Sequence, residues 1–417
     1  MARNRKSGGP PIAPPVEHVE LSDRNFRRRL IAAVICLAVG IAAIAVAVRG
    51  LLKVSDGWIT VDGSGAGLSV AEDFTFQYLL GSTDLSAAAE KKQVTALYTA
   101  QAVTAYQLFD AGTCYDGVYN LAYLNAHPNE TVTVDAGLYR ALEQIAQSGE
   151  RSVFLGPVYG DYRDLFFCMD DSQTVDFDPY RNAELADYFR QIGAFACDPD
   201  SIRLELSDNN QVCLRVSDAY LTFAQEYGFS TYVDLAWMRN AFAADYLADA
   251  LTSAGFTQGY LLSYDGFLRN LDPANALSFD LMDRPESKVL TAARAEDVSL
   301  SSRVFLRTYP ISDADALSYY TYADGTLRFP YLDVTDGLCK AAAPQIVAYS
   351  ADLGCAQTLL RLLPCYTRAS MDADAICGLT ENAVESVYIL DREICYTDPE
   401  LSLANLYTGY TTRLLTK

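Results

Sequence analysis

The sequence predicts an α+β domain carried on one N-terminal transmembrane helix. Three observations predict it. Strand-like and helix-like runs follow one another from about residue 71 to the C-terminus with no clean linker, the mixture expected of one α+β domain. Half of the 417 residues are apolar, enough to bury a large core. Nineteen consecutive residues, "LIAAVICLAVGIAAIAVAV" from Leu30 to Val48, carry no charge.

At about 1.5 Å per residue, that run spans roughly 28 Å, close to a bilayer's hydrocarbon thickness. A core helix of such length would show a polar stripe, and this one has none. Before it lies a Pro/Gly-rich tail (1–29) with seven basic residues, among them Arg24, Arg27, Arg28 and Arg29, against three acidic ones. The positive-inside rule places this tail in the cytosol and everything after Val48 outside. A cleaved signal peptide is the rival reading, but its apolar run would be about 7–15 residues long. A lipoprotein leader would need a small residue before its cysteine, and Ile35 precedes Cys36. The expected organisation is tail 1–29, anchor 30–48, tether 49–70 and extracytoplasmic domain 71–417. The expected location is the cell membrane, single-pass.

Beyond the anchor and its flanking Arg49 and Lys53 stand 23 basic and 50 acidic residues, a charge of about −27. That disfavours nucleic acid as a partner, because its recognition needs clustered Lys and Arg. Membrane contact through the anchor and an envelope protein partner remain open. Nine cysteines lie outside the anchor and none forms a C-x-x-C pair, so reduced core thiols are expected rather than a disulfide scaffold. His127 is the one histidine after the tail, and its "NAHPNET" setting reads as a solvated turn. Histidine-based triads and zinc sites therefore have almost no material.

The elements follow in order. Val54 to Leu68, rich in Gly, Ser and Asp, reads as the tether. "DFTFQYLLG" alternates like a strand, and Ala87 to about Phe109 carries a helical stripe. Asp135 is placed to cap a helix from Ala136, and Asn182 to Ile192 is a second amphipathic helix. "SIRLELSDNNQVCLRV" is a hairpin signal. "STYVDLAWMRNAFAADYLADALTSAGF" reads as strand, turn and long helix, and "GYLLSYDGFL" as the returning strand. "SLSSRVFLRTYP", "LRFPYLD", "QIVAYS" and "ESVYILDREICYT" are further strands, with a helix over Ala351 to Leu363.

Five stretches stand at the joints of these elements. They are "YNLAYLNAHPNETVTVDAGLYRALEQI", "DLAWMRNAFAAD" (234–245), "SYDGFL" (263–268), "PYLDVTDGLC" (330–339) and "DLGCAQTL" (352–359). In this order and spacing they resemble the motifs of the FAD:protein FMN transferase family, once described as thiamine-biosynthesis lipoproteins. The family patterns are S-x-L-x-x-L-N, D-L-G-G-I-A-K-G-Y-A-x-D, N-L-G-G-x-I, H-I-I-D-P-x-T-G-x-P and A-D-A-L-S-T-A-L. The resemblance runs from about Phe74 to the C-terminus. It implies a flavin-transferase-like fold and, for the family, Mg²⁺-dependent transfer of FMN from FAD to a Thr or Ser of a partner protein.

The resemblance also shows what this chain has changed. The Gly-Gly pair becomes Ala236-Trp237, the Lys position Asn240, the His position Pro330 and the metal-binding Asp position Gly354. Asp265 stands where a phosphate would approach. Asp352 lies two residues before Gly354, about 200° round a helix. The remnant cofactor-binding residues are then Asp234, Gly266, Asp333 and Gly337, with Thr358 a remnant of the metal site. No catalytic residue is expected. The reading is a non-catalytic homologue, a pseudoenzyme serving as a binding or scaffolding module of the cell envelope, with FAD and Mg²⁺ expected only if the family activity persists. The alternative is a divergent Mg²⁺-dependent transferase that has rebuilt its metal site from other acids and modifies an envelope flavoprotein. A purely structural domain is the third possibility.

Overall fold

A computed structural model describes residues 30–31, 34–38, 40, 55–63, 65–312 and 315–416. Two compact units divide at Val54 and Ser55. Of the expected anchor, the described residues are helical and the others lie outside the described set. Among the described residues no helix is long and apolar enough to cross a membrane.

The second unit opens with β1 (Gly57–Val61) and β2 (Phe74–Leu80), then α1 (Ala87–Leu108) and α2 (Leu121–Ala126). β3 (Thr131–Thr133), α3 (Ala136–Ser148), α4 (Gly156–Asp164) and α5 (Ala183–Cys197) follow. Next come β4 (Ile202–Ser207), β5 (Gln211–Val216), α6 (Asp218–Tyr227) and α7 (Arg239–Ser253). β6 (Gly259–Ser263), β7 (Phe267–Asn270), β8 (Leu277–Asp283), β9 (Leu290–Val298) and β10 (Ser302–Arg307) form a run of strands. After β11 (Tyr320–Thr321), β12 (Leu327–Arg328) and β13 (Gln345–Ser350) come α8 (Cys355–Tyr366) and α9 (Ala373–Gly378). β14 (Glu385–Leu390), β15 (Glu393–Tyr396), β16 (Ser402–Ala404) and β17 (Thr411–Leu414) close the chain.

Nine strands make the main sheet in the order β1-β2-β6-β7-β10-β13-β14-β15-β17. Its pairs are antiparallel except β15 with β17. α1 packs on β1 and β2, α7 on β6 and β7, and α8 on β10 and β13. A three-stranded sheet, β16-β9-β8, supplies a second layer. Its Phe279, Leu281, Ala293 and Ala295 share a core with Phe305, Val347, Tyr349, Val387 and Ile389 of the main sheet. β13 is therefore buried along its whole length, which explains why "QIVAYS" reads as an apolar run rather than an alternation.

Local signals act as expected. Asp135 accepts from Gly137 N at 2.7 Å and Gly149, in the left-handed region, ends α3. Asn182 caps α5 through Glu184 N and Leu185 N. Among the described residues none of the ten cysteines forms a disulfide, and six of them are buried.

Four expectations need correction. The stretch read as tether contains β1, whose Gly57–Val61 pairs with Val61-facing Phe76 through Leu80 of β2. "GYLLSYDGFL" is a hairpin, β6 and β7, turning at Gly266. The segment before α7 is a 3-10 turn, Ala236–Met238, without a preceding strand. The helix expected from Ala351 begins at Cys355, so Asp352 sits in the loop ahead of it and not on the helix at all.

Candidate functional site

The loops named by the motifs meet in space. Ala236 and Trp237 from the 3-10 turn before α7, Asn240 from the first turn of α7, Asp265 from the β6–β7 turn, Phe267 from the start of β7, and Pro330 and Tyr331 from the loop after β12 line one cavity of about 70 Å³. Asn125, at the end of "YNLAYLN", holds the approach to α7. Its Oδ1 accepts from Tyr232 N and Val233 N at 3.0 and 2.9 Å, and its Nδ2 donates to Val233 O. Asp245, at the far end of the first motif, accepts from Cys355 N and Ala356 N at 2.8 and 2.9 Å and so caps α8. All five stretches are thus joined physically.

None of the five remnant residues lines the cavity, and only Asp234 and Gly266 are close chain neighbours of residues that do. Asp234 Oδ1 accepts from Ala236 N at 2.7 Å, closing the 3-10 turn, and burial raises its pKa. Gly266 has φ +110°, and a Cβ there would lie 2.4 Å from Phe305 O, so only glycine fits the turn. Gly337 has φ +70° and packs its α-carbon face against Phe189. Asp333 takes the Lys340 ammonium at 2.8 Å while Asp336 takes it at 2.5 Å. Thr358 is fully buried and shares a 2.8 Å hydrogen bond with Ser302 Oγ. His127 lies elsewhere, stacked on Tyr123 at 4.2 Å.

Inside the cavity, Asn240 Nδ2 donates to Asp265 Oδ2 at 3.0 Å. Burial pushes the Asp265 carboxyl up to about 6. Trp237 meets Tyr331 edge-on, with ring centroids 4.7 Å apart. Arg307 is bonded to Asp315 through Nε at 3.1 Å and again through Nη2, a fully buried pair. Nothing in the sequence singled out Arg307 or Asp315, because their partnership is visible only once β10 and the following loop are folded together. The larger groove, about 220 Å³ between α3 and α7, is open and spanned by the exposed Arg140–Asp249 pair.

The protein resembles two solved structures over most of its length. The ApbE protein of Thermotoga maritima shares 12% identity at a TM-score of 0.52, covering 81% of this chain and 95% of that one. The flavin transferase ApbE of Vibrio cholerae shares 11% at a TM-score of 0.50, with the same coverage. The chain has the flavin-transferase fold. No protein-family model matches it, and no curated protein matches it in sequence.

On that fold the residues present do not fit FAD and its cation. Pockets for ligands of that size run to about 300–1,000 Å³, whereas the space beside Trp237 is about 70 Å³. At the metal position, a Cβ on Gly354 would lie 2.4 Å from Asp245 Oδ2. The Asp245 carboxylate is itself committed to two backbone amides and to Arg269 Nε at 3.3 Å. The Thr358 hydroxyl is committed to Ser302. Among the described residues no group of three His, Cys, Asp or Glu is placed to hold a metal.

Proposed function

We propose that this chain is a membrane-anchored, extracytoplasmic protein that keeps the flavin-transferase fold as a non-catalytic binding or scaffolding module of the cell envelope. One observation carries the reading: the Trp237 indole, packed on Tyr331, occupies the position of a family glycine and leaves only a small cavity. Asn240 and Pro330 supply neither the cation nor the proton-carrying group of the family motifs. Anchoring rests on the charge-free run from Leu30 to Val48 and the arginines before it. The strongly acidic exported part suits a soluble, self-repelling surface with protein rather than nucleic-acid partners.

The test is a flavin titration of the purified protein with FAD, with and without Mg²⁺, followed by an acceptor-peptide assay for covalent FMN. Unchanged flavin fluorescence, an unchanged melting temperature and no flavinylated peptide are expected. Tight Mg²⁺-dependent binding with peptide labelling would establish the transferase alternative instead. Protease protection of sealed vesicles, with a tag on each end, reports the orientation separately.

A further inference from the structure

We propose that the face of β1, β2 and β6 turned away from α1 and α7 rests on a phospholipid bilayer, a second membrane contact beside the anchor. Strand register sets Trp58 opposite Leu79, Thr60 and Tyr260 on either side of Gln77, and Thr75 opposite Leu262. These seven side chains therefore share one face. Two contacts across it agree: Gln77 Nε2 donates to Thr60 Oγ1 at 2.8 Å, and Trp58 reaches over β2 to Tyr260, ring centroids 6.2 Å apart. The other face, with Phe76, Tyr78 and Leu261, is buried under α1 and α7. The β16-β9-β8 sheet shares its core with the main sheet from Leu268 onward, and Tyr260 and Leu262 only flank it, half-buried. Leu79 and Gln77 are also half-buried, and Trp58 is 51% exposed.

None of the seven carries a charge, on a chain with about −27 beyond its anchor. An exposed edge strand normally bears charges that keep other chains away, and on this face β1 bears none. A covering surface explains both. The mixture is that of a membrane interface, where indole and phenol rings sit at headgroup level and aliphatic side chains meet the acyl boundary. An acidic protein meets lipid phosphate with least repulsion where it has no carboxylate. Along the row Thr75, Leu262 and Leu268 the first charge is positive, Arg303. Position selects the bilayer over a second copy: β1 opens nine residues after Val48. A chain of that length holds Trp58 within about 35 Å of the end of the charge-free run. The inference rests on the anchored reading, and stands whether or not the cleft is catalytic.

The protein has two tryptophans, so Trp237→Phe leaves Trp58 as the only indole. The full-length variant is reconstituted in phosphatidylcholine vesicles with bromine placed on the acyl chains near the headgroup or near the chain ends. Bromine near the headgroup should quench Trp58 emission by about half, and bromine at the chain ends far less. Should Trp237→Phe fail to fold, the parent chain minus Trp58→Phe gives the same signal by difference. Thr75→Glu with Gln77→Glu puts two carboxylates on the face and should cut the quenching about threefold. Gln147→Glu with Gln225→Glu, the same charge change at exposed sites on α3 and α6, should leave it unchanged. Flotation with the vesicles reports the anchor separately. A chain that floats with Trp58 unquenched, or equally quenched in the Thr75, Gln77 double variant, overturns the docking and keeps the anchor. Shielding from aqueous acrylamide without bromine quenching, growing with the protein-to-lipid ratio, assigns the face to a second copy and also overturns it. A chain that does not float removes the anchored reading and this contact with it.

Discussion

At Gly354 a side chain would meet the Asp245 carboxylate at 2.4 to 2.6 Å, and that carboxylate is the cap of α8. Restoring the family's aspartate there should therefore not restore a metal site. Gly354→Asp forces two half-buried carboxylates together and breaks the cap, a loss of about 2 kcal/mol or more in urea denaturation. Stability within 1 kcal/mol of the parent, together with Mg²⁺-dependent stabilisation, would show instead that the site is poised for a cation. Ala236 gives the opposite sign. It holds φ +44°, in the left-handed region, where the family has glycine. Ala236→Gly should raise stability by about 0.5–1 kcal/mol, because relief of that strain exceeds the entropy cost of glycine. The departures at Trp237, Asn240, Pro330 and Gly354 are legible in the sequence because the surrounding motifs keep their order. Their replacements' partners are not: Asp245 reaches the α8 amides from 110 and 111 residues away, and Asn240 reaches Asp265 from 25. A partly buried hydrogen bond between two altered positions leaves no trace in either motif alone.

Among the elements, strands with clean alternation such as "FTFQYLL" and helices with a cap were readable, because burial on one face imposes a period. β1 was not, since its "GWITV" is flanked by Gly, Ser and Asp and leaves every second residue open to solvent as an edge strand does. β8 and β9 also escaped notice: Asp280, Asp283, Arg294 and Glu296 interrupt their apolar pattern, and only packing on the main sheet reveals the buried face. β1 sets a testable boundary. It pairs with β2 over five residues, and Trp58 approaches Tyr260 across the sheet at 6.2 Å. A fragment beginning at Ser55 should unfold cooperatively as a monomer. One beginning at Gly65 exposes the β2 edge, and should melt at lower temperature and self-associate on size-exclusion chromatography. Equal behaviour of the two fragments would show that β1 is dispensable.

For the whole molecule, net charge and buried acid act in the same direction. The formal charge is −21 at pH 7, so self-repulsion grows as the carboxylates ionise. Burial raises both Asp245 and Asp265 from 3.8 to about 6. A carboxyl whose pKa is raised in the folded state holds its proton more tightly there than in the unfolded chain. Its contribution is therefore full below pH 3.8, falls as pH rises through about 6, and stays low above it. Each amounts to on the order of 2 kcal/mol. Glu90 and Asp333 oppose this only at lower pH, because hydrogen bonds outweigh their burial and hold them below 4.5 and 3.8 respectively. Stability should accordingly be greater at pH 5 than at pH 7.5 by a few kcal/mol. Salt separates the two causes: 0.5 M sodium chloride shortens the Debye length to about 4 Å and screens exposed charges, but acts much less on the two half-buried carboxyls. The double variant Asp245→Asn, Asp265→Asn does the converse, removing the buried part and leaving the salt-sensitive part. Denaturant midpoints at both pH values, with and without salt, decide the matter. A profile that flattens in salt alone would assign the whole effect to the surface, and would mean that both carboxyls have found compensation inside the fold.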